Sequence, residues 1–183
     1  MRRSRMNKFF LCGIFLYSIA LNPLKAQQIA VKTNLISDMA LVPCLGTELV
    51  VGEKTSLNVE FVGTVDKPWG LDLNMVMGSM QYRYWVAQRT MTQLFFGAGV
   101  KAGTYTYCNA KEQCGGDMAM LEMVVGYAWP LSKRWNIELQ YGWGALVRYM
   151  FQYPVDDRQR VSTGLRYDIV TTSIGVNIVC ILK

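Results

Sequence analysis

The residues able to do chemistry in this sequence are few, and one type is missing altogether. None of the 183 residues is a histidine. Ser–His and Asp–His machinery is therefore excluded, and with it the base that barrel hydrolases and acyltransferases generally use. Asp156 and Asp157 are adjacent carboxylates, but they sit in the polar run "FQYPVDDRQRVSTG", which reads as a solvated loop tip. Cys44, Cys108, Cys114 and Cys180 offer thiols without a C-x-x-C pair, so no zinc-ligand set is assembled. Cys108 and Cys114 bracket the polar segment "NAKEQ" and form a candidate loop disulfide, with free thiols as the alternative, because spacing alone fixes no pairing. The charges that do show a pattern are Glu48, Glu60, Glu122 and Glu138 against Lys32, Arg83, Lys101 and Arg148. Their expected chemistry is mutual neutralisation in a structural network, with cation binding by the four acids as the weaker alternative. No catalytic residue, cofactor or metal site is expected, and no enzymatic activity.

Each of those charges lies at a polar position of an alternating run. The longest is "WNIELQYGWGALVRY", residues 135–149. Trp135, Ile137, Leu139, Tyr141, Trp143, Ala145, Val147 and Tyr149 fall on one face, and Asn136, Glu138, Gln140, Gly142, Gly144, Leu146 and Arg148 on the other. A strand usually runs about 5–6 residues, so this one is long. Shorter runs of the same period surround Val31, Glu48, Val59, Arg83, Lys101 and Glu122. The last run, "VTTSIGVNIVCIL", sets Val170, Ile174, Val176, Ile178 and Leu182 against Thr171, Ser173, Gly175 and Asn177. The pattern predicts eight strands and no helix of length. "GEKT", "PLSK" and "VAQRTMT" are short connections; "TVDKPWGLDL", "CNAKEQCGGD" and "FQYPVDDRQRVSTG" are longer and polar. The connection through "ISDMALVPC" is the least defined.

Residues 1–26 stand apart from this pattern. Arg2, Arg3, Arg5 and Lys8 precede the apolar run "FFLCGIFLYSIAL", and "NPLKA" ends in a small residue. That order is a secretory signal peptide, and its apolar part is too short to span a bilayer, which takes about 20 residues. Residues 27–183 are expected to form one domain. The formal charge of +6 comes mostly from the leader, since five of its bases leave with it and no acid does. The mature domain is near neutral, which argues against a nucleic-acid partner.

Alternation alone does not say which face meets water. A soluble barrel buries its apolar face; a membrane barrel turns it to lipid. Four features select lipid. The later strands reach the 9–11 residues, roughly, that a tilted strand needs to cross a bilayer. The polar face carries Gly97, Gly99, Gly103, Gly126, Gly142, Gly144 and Gly175, which suit a crowded concave wall. The acids and bases on that face balance, as an enclosed interior requires. Aromatic residues cluster at strand ends: Tyr84, Trp129 and Trp135 by the tight turns, Tyr107, Tyr149 and Phe151 by the long loops. Charged residues make up 17% of the chain, against about 25% in soluble domains, which points the same way. The expected fold is all-β, an eight-stranded antiparallel up-and-down transmembrane β-barrel in the cell outer membrane. Eight strands leave room for side chains but not for a wide pore. Trp69 in "DKPWG" and Tyr153 in "FQYPVDDR" are candidate loop contacts for a partner.

The opening of the mature chain, "AVKTNLISDMALVPCLGTELVVGEKTSLNVEF", resembles a family of small, functionally uncharacterised Gram-negative outer-membrane proteins. The shared features are the A-V-K-T-N-L segment (Ala30–Leu35) and the P-x-L-G-x-E strand entry (Pro43–Glu48). The resemblance implies an eight-stranded barrel of the small outer-membrane type without catalytic residues. Outer-membrane lipid and the barrel-assembly machinery are the expected partners, and a monomer the expected state. Some members of that family accompany surface-fimbria systems, an association that adds surface-filament proteins to the expected partners. One departure stands out: the chain ends "VCILK" instead of on the aromatic residue that aids assembly of many such barrels. The expected role is structural or surface-interacting through the loops. The alternatives are an accessory of a surface filament, and a soluble periplasmic lipid-binding barrel with its apolar face inward.

Overall fold

Period-two alternation becomes a closed wall of strands. A computed structural model describes residues 28–64, 72–108, 112–154 and 161–182. The strands are β1 (Ile29–Asn34), β2 (Cys44–Val50), β3 (Thr55–Gly63), β4 (Asp72–Trp85), β5 (Gln93–Cys108), β6 (Glu112–Pro130), β7 (Trp135–Pro154) and β8 (Val161–Ile181). Each pairs antiparallel with its sequence neighbours, and β8 returns to β1 to close an up-and-down barrel. Among the described residues the one helix is α1 (Leu35–Met39), in the connection between β1 and β2. Asn34 caps it: its side-chain oxygen accepts from the Ile36 amide at 3.1 Å. Leu35, the last residue of the A-V-K-T-N-L segment, is therefore helical and not part of β1.

The wall is uneven. Strand length grows from 6 residues in β1 to 21 in β8. One rim carries the tight connections and both ends of the described chain. At the other rim β5–β8 climb well past β1–β3. Two segments expected as loops are largely strand: β5 runs to Cys108 with β6 resuming at Glu112, and β7 runs to Pro154 with β8 resuming at Val161. The polar sequence of these two segments lacks the alternation that marks the rest, although the strands continue through them.

β8 also departs from regular period two. Gly142 pairs with Ser173 but Trp143 pairs with Thr171, leaving Thr172 as an extra residue. This bulge reverses the side-chain alternation above it. Val170 then shares a face with inward Gly144, and Thr171 turns outward to meet the Tyr141 hydroxyl at 3.1 Å. The sequence pattern had these two positions the other way round. A second irregularity falls at Met150/Phe151, where Gly164 takes φ +94, a conformation glycine adopts without strain.

The two faces are the reverse of a soluble barrel. Inside lie Lys32, Glu48, Asn58, Glu60, Gln81, Arg83, Glu122, Glu138, Gln140 and Asn177, all buried. Outside lie Leu45, Phe61, Val76, Met80, Val100, Leu121, Met123, Leu139 and Ile174, all exposed, with Leu121 66% and Phe61 65% accessible. Tyr82, Tyr84, Tyr127, Trp129, Trp135, Tyr141 and Trp143 are exposed on the same outer surface.

Candidate functional site: the charged interior

The barrel interior is built in levels. Nearest the tight turns is an apolar plug. Ala30, Val50, Trp85, Met91, Phe95, Val124, Ala128 and Val179 form one buried cluster. The Trp85 and Phe95 rings meet at 4.7 Å, and the Trp85 indole N–H donates to Ser56 Oγ at 2.8 Å. Gly126 makes room for Phe95: a Cβ there would sit 2.3 Å from Phe95 Cζ. The β4–β5 connection folds back under this plug, and Asn136 Nδ2 donates to the Met91 carbonyl at 2.7 Å. Sequence reasoning missed the plug. Trp85 follows Tyr84, and Phe95 precedes Phe96, so in each pair two adjacent apolar residues point to opposite faces and the inward one is masked by its neighbour.

Above the plug sits the charge cluster. Arg83 from β4 is fully buried at its centre. Its Nη1 donates to Glu48 Oε2 at 3.1 Å and to Glu138 Oε1 at 3.0 Å. Its Nη2 donates to Gln81 Oε1 and Gln140 Oε1, both at 2.8 Å, and its Nε to Gln81 Oε1 at 3.1 Å. The Phe95 ring lies 4.6 Å beneath the guanidinium carbon. Lys32 from β1 adds the second cation, with Nζ 2.9 Å from Glu48, 3.6 Å from Glu138 and 3.7 Å from Glu60. Gly46 gives the Lys32 stem its space, since a Cβ there would lie 2.9 Å from Lys32 Cγ. Asn58 donates to Glu60, Ser56 to Glu48 and Asn177 to Glu138, so all three carboxylates also hold neutral donors.

A further pair lies higher. Lys101 Nζ is 3.1 Å from Glu122 Oε2 and donates to the Thr172 carbonyl at 3.0 Å. Gln81 links the two levels by donating to Glu122 Oε1 at 2.8 Å. Seven of the eight charges expected in the interior network thus converge there. Arg148 does not join them. It pairs with Asp168 at 3.2 Å near the tall rim, where both are substantially accessible. Asp168 reaches the inner face because the Thr172 bulge resets the register of β8, a shift the sequence pattern does not announce. The neutral members Gln81, Gln140, Asn58 and Asn177 lie at polar positions of their runs and are buried inside with the charges.

Cys114 is a free thiol standing opposite Tyr107, so the structure forms no bridge between Cys108 and Cys114. Trp69, the side chain of Tyr153 and the leader 1–26 lie outside the described residues. Among the described residues, no group of three or more His, Cys, Asp or Glu side chains could hold a metal ion.

The charges of the central cluster neutralise one another. Every guanidinium nitrogen of Arg83 is engaged, and each acid of the central cluster faces both a cation and an amide or hydroxyl. Residues 10–182 match the model of a family described as a protein of unknown function, DUF3575. The chain belongs to that family. No curated protein and no solved structure matches it. For this DUF3575 member the functional reading therefore rests on the barrel itself.

Proposed function

We propose that this protein is a non-enzymatic outer-membrane barrel with a structural or surface-interaction role carried by its taller rim. One observation carries the reading: the charged and amide side chains are inside and the large apolar side chains are outside. A soluble barrel arranged this way would leave an apolar surface in water far larger than monomers tolerate. In lipid the same surface is stabilising, and the closed ladder satisfies the strand hydrogen bonds that hydrocarbon cannot. Outward aromatics near the short turns, Tyr84, Trp129 and Trp135, fit an interfacial girdle. The same faces argue against a soluble lipid carrier, whose apolar side chains line a cavity. The apolar plug and the Arg83 cluster occupy successive levels of the interior, which argues against solute transport.

A bilayer takes about 9–11 residues of a tilted strand. β6, β7 and β8 have 19, 20 and 21 residues, so about half of each stands beyond it. The test is membrane fractionation with an unboiled-against-boiled electrophoretic comparison of the mature chain. Outer-membrane recovery with a heat-dependent mobility shift is expected. A soluble periplasmic protein without a shift would overturn the reading.

A further inference from the structure

We infer that the upper edge of β8 pairs antiparallel with the same edge of a second copy of this chain, about a two-fold axis at Tyr167. The helix α1 lies beside β8 just above its pairing with β1, where Asn34 Nδ2 donates to the Ile174 carbonyl, and among the described residues the edge higher up is open. β1 pairs with β8 only from Asn177 to Ile181, whereas β7 follows β8 up to Val161. Among the described residues no strand pairs with the other side of β8 above Asn177. An open edge of this length is a template for strand addition.

The sequence on that edge fits itself. Residues 165–169 read "LRYDI". Laid antiparallel on its own copy about Tyr167, Leu165 meets Ile169, Arg166 meets Asp168, and Tyr167 meets Tyr167. An isologous two-fold contact repeats each of these matches, so two Arg–Asp pairs and two Leu–Ile pairs form at once. Opposite charges and apolar residues directly across an antiparallel pair are the stabilising arrangements. All five residues are exposed; Tyr167 is 70% and Ile169 87% accessible. They also lie above the outer apolar belt when about 9–11 residues are counted up from the tight turns, where lipid would not cover them. Within one copy Asp168 pairs with Arg148 at 3.2 Å, and Arg166 stands directly across from that same Arg148, so a partner's Asp168 would give Arg166 an acid across the new seam.

Backbone direction agrees. Ile181 donates to Arg134, on the β7 side, and Leu182 to Ile29, on the β1 side. Even-numbered residues of lower β8 thus turn toward β1, as Ile174 does in accepting from Asn34 Nδ2. The Thr172 bulge reverses this, so Leu165, Tyr167 and Ile169 turn their backbone groups to the open edge. Tyr167 and its mate can then exchange both N–H···O bonds, as a hydrogen-bonded antiparallel pair does. Two copies joined this way point in opposite directions. Where both are embedded they bridge two facing membranes, a consequence that rests on the lipid-facing reading above and replaces the monomer expected from sequence.

The test uses the mature chain folded in detergent, with heat-dependent mobility checked for every variant. In a background whose other cysteines are serine, Tyr167→Cys is expected to form an oxidative dimer, since hydrogen-bonded partners lie about 5.5 Å apart, within disulfide reach. Leu165→Cys alone should not, but mixed with Ile169→Cys it should. Charge reversal gives the second arm. Arg166→Asp and Asp168→Arg should each lose self-association, and an equal mixture of the two should regain it, because every contact then pairs opposite charges. Folded variants that show neither register-specific crosslinking nor rescue by mixing would overturn the pairing. Vesicles carrying Arg166→Asp should cluster only with vesicles carrying Asp168→Arg; pairing in detergent without such clustering would overturn the facing-membrane consequence. Loss of the heat shift in the unaltered chain would instead overturn the barrel reading.

Discussion

Replacing Arg83 with methionine is the most informative single change to the interior. The guanidinium is fully buried and reaches Glu48 at 3.1 Å and Glu138 at 3.0 Å. Methionine keeps much of the stem's bulk and removes the charge. Three carboxylates, Glu48, Glu60 and Glu138, would then face Lys32 alone, and Gln81 and Gln140 would each lose a donor. Removing one partner from a buried ion pair costs about 3–5 kcal/mol, because the remaining charge stays buried and uncompensated. The Arg148–Asp168 pair gives the scale for comparison. It is of similar length, 3.2 Å, but half-exposed, and a pair of that kind contributes about 0.2–1 kcal/mol. The assay is equilibrium denaturant unfolding of the folded barrel, followed by tryptophan fluorescence, for Arg83→Met and Arg148→Met side by side. A loss several-fold larger for Arg83→Met is expected. Pairing Arg83→Met with Glu138→Gln should recover part of it, since one orphaned carboxylate is removed as well. Equal and small losses at the two sites would refute the view that the cluster is a dry, mutually dependent interior.

Trp85→Ala should cost about 3–5 kcal/mol by emptying the plug and removing the indole donor to Ser56, read in the same unfolding assay. Gly126→Val should cost about 1–3 kcal/mol, since its side chain must displace the Phe95 ring that already fills the space. Met123→Lys, on the outer face, should destabilise the vesicle-inserted barrel by about 2–4 kcal/mol if it lies near the bilayer midplane. The same change on a surface facing water would fall within about 0.5 kcal/mol, so unfolding from vesicles separates the two environments.

Much of the architecture was legible because alternation records which side of a wall a residue occupies. In β7 the fifteen positions from Trp135 to Tyr149 show the faces directly, and β6 places Glu122 and Gly126 inward as expected. Three things escaped, each for a physical reason. The Thr172 bulge lies in "TTS", where three small polar residues in a row carry no face preference, so the reversal that puts Val170 and Asp168 inward leaves no trace. The upper ends of β5–β8, around Cys108–Asp117 and Phe151–Gly164, read as loops because their polar sequence carries no alternation. The apolar plug was hidden because Phe95 and Trp85 each adjoin an outward aromatic, and an apolar doublet does not say which member turns in. Within the charge network, opposite signs on one face foretold neutralisation but not grouping. Which acid meets which base depends on the stagger of strands around the barrel, a property of closure that no single strand encodes.

The claim on which the rest depends is that the outer face meets lipid. Single-tryptophan variants in vesicles containing chain-brominated lipid test it directly. One retains Trp143, exposed on the outside of β7; the other retains Trp85, buried in the interior plug. Strong quenching of Trp143 with Trp85 spared is the predicted result. Quenching of neither, or of Trp85 alone, would contradict it.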